Sequence, residues 1–142
     1  MSIKTILLLA LMAVVAVMCV SCVMRFGKRS NQYSPHASFE NLGVDDFQTL
    51  IADENVQLLD VRTRDEYDEG HIAGAALVDV NDSSFVEKAM ALLDHERPVA
   101  VYCRSGRRSA RAAIQLATQG LTVSNLDGGV IAWEDAGKAL VK

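Results

Sequence analysis

The sequence predicts an α/β fold in which a central parallel sheet is covered by helices on both faces. Short apolar runs that read as buried strands alternate along the chain with amphipathic segments of helical periodicity. A hydrophobic fraction of 50% with only two prolines in 142 residues predicts one packed domain rather than disorder. Strands that alternate with helices of about ten residues imply parallel pairing, because each crossover returns the chain to the same end of the sheet.

The first elements are a helix, a strand and a short helical turn. A helix is predicted over Val44 to Ala52, where two aspartates suit the first turn. The apolar side chains that share its face are Val44, Phe47, Leu50 and Ile51. Val56 to Val61 is an apolar run that predicts a buried strand, and Arg64 to Glu69 predicts a brief charged helix or turn that ends at Gly70.

The middle of the chain predicts two further strands around a helix. Ala75 to Val80 is the second apolar stretch, and Ser83 or Ser84 can cap the helix that follows. The side chains expected on its buried face are Phe85, Val86, Ala89, Leu92 and Leu93. Pro98 ends any helix before Val99 to Tyr102, the third strand.

The last third predicts helix, strand and helix. Ser109 to Gln119 is helical by its apolar stripe, with Gly120 placed to end it. The stripe consists of Ala110, Ala113, Ile114 and Ala117. Leu121 to Leu126 predicts a further strand, and Val130 to Ala136 predicts a final short helix, with Trp133 as a core residue.

An uncharged apolar segment precedes this pattern. Ile6 to Met24 is a run of nineteen residues in which only Ser21 is polar, long enough as a helix to cross a hydrocarbon core of about 30 Å. We therefore expect an N-terminal hydrophobic helix that contacts a membrane through residues 6–24. The predicted organisation is a membrane anchor or lipoprotein signal at 1–30, a polar linker at 31–37 and a folded domain at 38–142.

Two placements at a bacterial cell envelope remain open for this segment. An uncleaved anchor would keep the domain facing the cytoplasm, because basic residues follow the run at Arg25, Lys28 and Arg29. A lipoprotein signal would instead export it, with Lys4 as the basic start and Cys22 as the lipidated residue. A cleaved, soluble secreted product is disfavoured, because basic residues soon after an apolar run hinder translocation.

The charge distribution predicts a small anionic ligand. The first thirty residues carry four basic and no acidic side chains, so subtracting +4 from the whole-chain charge of −4 leaves −8 for the remainder. Four arginines within eight positions give this acidic domain one cationic spot: Arg104, Arg107, Arg108 and Arg111. Nucleic acid is not expected to bind, since its phosphate backbone needs a broad basic face.

No metal or cofactor is expected. Cys19 and Cys22 have the spacing of a redox or metal pair, but both lie in the apolar run with no second ligand pair nearby. His36 and His95 lie in polar connections with no visible partner.

Cys103 is the strongest candidate for chemistry. It follows the third strand directly, and ligands of parallel sheets bind beyond the carboxyl ends of the strands. The short loop at 104–108 is expected to curl its N–H groups around the sulfur, with Gly106 permitting a positive φ. Inward amides, the following helix N-terminus and nearby guanidinium groups all favour a thiolate over a thiol whose ordinary pKa is about 8.5. A thiolate so placed can attack an electrophile.

These residues resemble a known family. The segment Cys-Arg-Ser-Gly-Arg-Arg-Ser at 103–109, preceded by Val-Tyr, is similar to the active-site loop of single-domain rhodaneses. Two further motifs agree in order, namely Leu59-Asp60-Val61-Arg62 with Glu66-Tyr67 and Gly70-His71-Ile72-Ala73-Gly74-Ala75 upstream, and Leu126-Asp127-Gly128-Gly129 with Trp133 downstream. The resemblance covers Ser38 to Val141 and departs at Ala73, where the family usually has proline.

The resemblance implies a rhodanese-like fold and a sulfurtransferase cycle. Cys103 would take a sulfane sulfur from thiosulfate or a persulfide donor and pass it, as a persulfide, to a thiol or cyanide. The loop would bind the donor through Arg104, Ser105, Gly106, Arg107, Arg108 and Ser109. Asp60, Arg62 and His71 are expected to support neighbouring loops, and Arg111 to be structural.

Two other functions remain possible at this stage. A cysteine phosphatase or arsenate reductase also uses a thiolate loop before a helix, but position 109 is serine and position 110 alanine where those loops carry arginine. A sulfur-carrier or redox-sensing module without turnover is the second alternative. The sequence leaves the donor, the acceptor and the oligomeric state open.

Overall fold

The computed structural model describes residues 38–142, and its helices and strands alternate along the chain. In chain order they are β1 (Glu40–Leu42), α1 (Val44–Ile51), β2 (Gln57–Asp60), α2 (Arg64–Glu69), β3 (Ala76–Leu77), α3 (Phe85–Leu92), β4 (Val99–Tyr102), α4 (Arg107–Thr118), β5 (Val123–Leu126) and α5 (Gly129–Asp135). The predicted alternation of strands and helices is confirmed.

The strands form one parallel sheet in the order β1-β5-β4-β2-β3. β4 lies at the centre and is buried along its whole length. Its register with β2 runs from Gln57 opposite Val99 to Asp60 opposite Tyr102. The carboxyl ends of β2 and β4 therefore lie side by side, which brings the loops that follow them to one edge of the sheet.

Helices cover both faces of the sheet, as the sequence predicts. On one face α3 and α4 pack over Leu59, Val101 and Cys103. On the other face α1 and α5 pack over residues of alternate parity, Leu58 and Ala100 among them. The two faces separate in this way because successive side chains of a strand point to opposite sides.

The edge strand β1 was not predicted. It is three residues long, Glu-Asn-Leu, with two of its side chains exposed, and it pairs in parallel with β5. So short a segment carries no apolar periodicity. Three predicted strands are also shorter than expected: β2 is confined to Gln57–Asp60, β3 is confined to Ala76–Leu77, and β5 begins at Val123 rather than Leu121.

Two side chains assigned to buried faces are exposed. Leu92 is 53% exposed because α3 ends there and the backbone turns to an extended conformation at Leu93, which takes the inward position. Ile114 is 49% exposed because the buried face of α4 lies to one side of the predicted stripe. That face consists of Ser109, Ala112, Ala113 and Leu116. The predicted core position of Trp133 is confirmed.

The predicted N-terminal hydrophobic helix, the linker and Cys22 lie outside the described residues. Within residues 38–142, no helix has both the length and the apolar character needed to span a membrane.

Candidate active site

The site is built on the carboxyl end of β4, where Cys103 follows Tyr102. The Cys103 side chain is 1% exposed, so its sulfur lies at the base of the loop. Gly106 adopts a left-handed conformation with φ 85°, and α4 begins at the next residue. A side chain rarely adopts this φ, which explains why glycine occupies the turn. The helix begins two residues earlier than predicted, so its N-terminus is close to the sulfur.

Four donor groups lie near the Cys103 sulfur. The Ser109 hydroxyl donates to Sγ at 3.3 Å, and the backbone N–H groups of Ser109, Ser105 and Gly106 lie close enough to the sulfur to lower its pKa. Burial raises the pKa of this thiol, but these four groups outweigh burial and hold the pKa below its ordinary value. Because the N–H groups cannot lose their hydrogens at neutral pH, they favour the thiolate, which is the nucleophilic form.

Helix α5 donates two backbone hydrogen bonds to carbonyls at the start of the loop. Val130 N–H donates to the Cys103 carbonyl at 2.9 Å, and Ile131 N–H donates to the Arg104 carbonyl at 3.1 Å. The contact is so close that a Cβ on Gly129 would lie 2.4 Å from the Cys103 carbonyl oxygen. Since the Arg104 carbonyl points towards α5, the Ser105 N–H of the same peptide unit points to the opposite side, where it lowers the pKa of the sulfur. Gly129 belongs to the downstream sequence motif, but sequence reasoning assigned it no function.

A buried asparagine joins the loop to the edge of the sheet. Asn125 is 1% exposed, and its amide donates to the Asn41 side chain at 2.8 Å and to the Gly106 carbonyl at 3.4 Å. The Ser109 hydroxyl also lies 3.1 Å from that carbonyl. No sequence signal singled out Asn125, because its role depends on two segments that the fold brings together.

Arg108 forms a bidentate ion pair with Glu66. Its two terminal nitrogens donate to the two carboxylate oxygens at 2.8 and 2.6 Å. These hydrogen bonds are the main reason that the pKa of Glu66 is lowered from 4.5 to about 2. Arg108 was predicted to seat the anionic donor, and the structure gives it a carboxylate partner. Glu66 stood in a recognised motif but received no role from sequence.

The other loop arginines face solvent. Arg104 and Arg107 are exposed, and neither forms an ion pair with any residue that the structure describes. Arg104 lines a cavity of about 430 Å³ together with Arg62, Glu66 and residues of α5. Arg111 donates to the Asn81 side chain at 3.2 Å. Asn81 is neutral, so Arg111 keeps its charge, and it lines a second cavity with Ser105, Arg107 and Arg108. The cationic groups beside the loop that lack a carboxylate partner among the described residues are therefore Arg104, Arg107 and Arg111.

Residues 43–136 match the family model described as the rhodanese-like domain. The chain belongs to the rhodanese-like domain family. A thiosulfate sulfurtransferase, GlpE of Shewanella oneidensis, is 36% identical over 102 residues, which are 70% of this chain and 97% of the relative. A sulfurtransferase of Allochromatium vinosum is 38% identical over 95 residues, 66% of this chain and 86% of the relative.

Solved structures agree with this assignment. A rhodanese-related protein from Thermoplasma volcanium superimposes with a TM-score of 0.64 at 26% sequence identity, over 72% of this chain and 98% of that one. The predicted resemblance to rhodaneses is confirmed, together with the rhodanese-like α/β fold around a parallel sheet. At the level of the family, this is a rhodanese-type sulfurtransferase domain.

In this rhodanese-like domain, Asp60 and Arg62 form a buried ion pair at the end of β2. The Asp60 carboxylate accepts from Arg62 Nε at 3.0 Å and from Nη2 at 2.7 Å, and Nη2 also donates to the Gly70 carbonyl at 2.8 Å. Burial lowers the pKa of Arg62, and the interaction with Asp60 raises it to a net value above normal. The pair ties the loop after β2 to the end of α2 beside the cavity.

His71 contacts Tyr67 and the C-terminal segment of the rhodanese-like domain. Its ring stacks on Tyr67 with centroids 3.7 Å apart, and its Nδ1 lies 3.1 Å from the Tyr67 carbonyl. Its backbone exchanges two hydrogen bonds of 2.8 Å with Val141, which fastens the C-terminal segment. Across residues 38–142, no cluster of three His, Cys, Asp or Glu side chains could hold a metal ion.

Proposed function

We propose that this domain transfers a sulfane sulfur from thiosulfate or a persulfide donor to a thiol acceptor through a persulfide on Cys103. The observation that carries the proposal is the hydrogen bond of 3.3 Å from the Ser109 hydroxyl to a cysteine sulfur at the start of a loop whose backbone N–H groups lower the pKa of the thiol. Such a cradle stabilises negative charge on Cys103 both before and after the added sulfur.

The first half of the cycle needs no external oxidant. The Cys103 thiolate attacks the outer sulfur of thiosulfate and a new S–S bond forms. The S–S bond of the donor breaks, and its electron pair leaves on sulfite. The negative charge moves to the terminal sulfur of the persulfide, within reach of the loop amides.

In the second half, the acceptor removes the sulfur. An acceptor thiol loses its proton to solvent and attacks the terminal sulfur of the persulfide. A bond forms between the acceptor and that sulfur, and the bond to Cys103 Sγ breaks. Cys103 leaves as a thiolate, which the same four donors stabilise, so its low pKa makes it a good leaving group.

Charge supports an anionic donor. The domain surface is acidic, and the exposed Arg104 and Arg107 flank the loop. A local positive potential on a repulsive surface guides a small anion to the site by electrostatic steering.

The test is the mass of the protein after exposure to donor. The reduced protein given thiosulfate should gain about 32 Da, the mass of one sulfur atom. Cys103→Ser should abolish the gain, and the double variant Cys19→Ser, Cys22→Ser should retain it. A wild-type chain whose mass does not change would contradict the proposal.

Turnover assays separate the alternatives. We expect thiocyanate from thiosulfate and cyanide, and no matching release of phosphate from an aryl phosphate. A persulfide that forms but passes to neither cyanide nor a small thiol would indicate a carrier or sensing module. Phosphate release that exceeds thiocyanate formation would indicate a phosphatase.

A further inference from the structure

We propose that Glu66 is a specificity-determining residue, which neutralises Arg108 and thereby favours donors of low charge over the thiosulfate dianion. The proposal rests on the sulfurtransferase function proposed above and names the residue that sets its donor preference. Glu66 acts through Arg108 and not by contact with the reacting sulfur, so its role is one of positioning and charge.

The ion pair occupies the side of Arg108 that an anion would use. A guanidinium group binds oxyanions best with two parallel N–H donors, and both terminal nitrogens of Arg108 point to Glu66 oxygens. The side chains are only 28% and 25% exposed, so solvent screens the pair less than it would a surface pair.

Glu66 is itself held in place. Thr63 N–H and the Thr63 hydroxyl donate to Glu66 Oε2 at 3.1 Å, and the Glu66 N–H donates back to the Thr63 hydroxyl. This reciprocal capping box at the start of α2 fixes the carboxylate opposite α4. The neutralised state of Arg108 is therefore built into the fold and does not depend on a freely rotating surface side chain.

A second arginine near the site is neutralised in the same way. Arg62 lines the same cavity as Arg104 and Glu66, and Asp60 balances its charge. Arg62 and Arg108 are thus both paired with carboxylates, and Arg104, Arg107 and Arg111 remain for an incoming donor. The site carries less positive charge than its sequence suggests, which weakens the binding of a dianion more than that of a monoanion.

The experiment compares two donors on Glu66→Gln. Glutamine can also accept the Thr63 N–H bond of a capping box, so the variant removes the charge and keeps the helix start. We expect kcat/KM for thiosulfate, with two negative charges, to rise about 5- to 10-fold, and that for benzenethiosulfonate, with one, about 2- to 3-fold. The increase should appear mainly as a lower KM.

Two control variants isolate the ion pair. Glu69→Gln makes the same charge change in the same cavity, but Glu69 is exposed to solvent and has no hydrogen bond to Arg108, so it should change the ratio of the two donors much less than Glu66→Gln does. In Glu66→Gln, Arg108→Gln, the gain for thiosulfate should disappear, because no guanidinium is released. Far-ultraviolet circular dichroism and the melting temperature establish that each variant folds.

Alkylation of Cys103 by iodoacetamide gives a readout that needs no sulfur transfer. An uncompensated Arg108 should stabilise the thiolate and move the alkylation profile of Glu66→Gln to lower pH. A folded Glu66→Gln with an unchanged or smaller thiosulfate preference would overturn the inference. If instead the wild type forms no persulfide with either donor, the proposed function fails, and the alkylation profile still tests the effect of Glu66 on the sulfur.

Discussion

The backbone nitrogen of Val130 donates a hydrogen bond of 2.9 Å to the carbonyl oxygen of Cys103. Through this bond the start of the last helix determines the orientation of the peptide that follows Cys103. The neighbouring Gly129 has φ 60° and packs directly on the same carbonyl. The conformation of the sulfur-binding loop therefore depends on a segment more than twenty residues downstream.

We expect Gly129→Ala to damage both stability and reactivity. An added Cβ would lie 2.4 Å from the Cys103 carbonyl oxygen, and the alanine would have to adopt the left-handed backbone conformation of Gly129. The free energy of unfolding in urea should fall by about 2–4 kcal/mol, and Cys103 alkylation at neutral pH should slow. The control is Gly137→Ala, which has φ 74° but open space around the Cβ and should cost about 1–2 kcal/mol. Equal losses in the two variants would argue against the close contact.

We expect Ser109→Ala to raise the pKa of Cys103. The Ser109 hydroxyl is the one side chain that donates to Sγ among the residues that the structure describes, and without it the thiolate loses a charge-assisted bond. The rate of alkylation of the Cys103 peptide at neutral pH should fall about 3- to 10-fold, as expected for a bond worth about 0.7–1.4 kcal/mol, and its profile should move to higher pH. Ser105→Ala is the matched control, since Ser105 acts on the sulfur through its backbone N–H. A shift in Ser105→Ala as large as that in Ser109→Ala would contradict this assignment.

Stability should depend on acid pH through Glu66. Its pKa is about 2 in the folded protein and 4.5 as the ordinary value, so the unfolded chain binds the proton more tightly. The ion pair with Arg108 therefore stabilises the fold fully above about pH 4.5, and this contribution is lost as the pH falls towards 2. We expect Glu66→Gln to be less stable than the wild type by about 2 kcal/mol at neutral pH, with the difference shrinking in that window. Urea unfolding at several pH values measures it, and a difference independent of pH would contradict the prediction.

Membrane attachment remains a prediction, and it rests on the apolar run at 6–24. We expect the native protein to sediment with membranes and to need detergent for release, while deletion of residues 1–30 makes it soluble. The intact mass then separates the two placements. Loss of Met1 to Ser21 with a diacylglyceryl group on Cys22 identifies a lipoprotein, and an unmodified full-length mass identifies an anchor. Release of the native protein by salt alone would contradict both.

The sequence predicted those features that depend on neighbours along the chain. The position of Cys103 at a strand end, the glycine turn and the following helix are local patterns, and all three are present. The edge strand β1 was missed because its three residues pair with β5 through backbone hydrogen bonds and bury little apolar surface. Leu92 was misplaced because helical periodicity does not fix the residue at which a helix ends.

The charge state of the site was beyond the reach of sequence. Arg108 and Glu66 are 42 positions apart, and only the parallel register of β2 and β4 brings the following segments together. The sequence shows four arginines near Cys103, but it does not show which carboxylates pair with them in the fold. The hydrogen bonds of Asn125 could not be predicted for the same reason, because its two partners lie on β1 and on the loop.

The edge strand has a practical consequence for recombinant fragments. The family match spans 43–136, yet Asn41 on β1 accepts a hydrogen bond from Asn125, which lies beneath the loop after Cys103. At the other end, Val141 is bridged to His71. A fragment that spans only 43–136 would lack both the Asn41 side chain and the Val141 backbone bridge, so the loop after Cys103 would lose part of its support. A recombinant fragment should therefore begin before residue 40 and extend to residue 142.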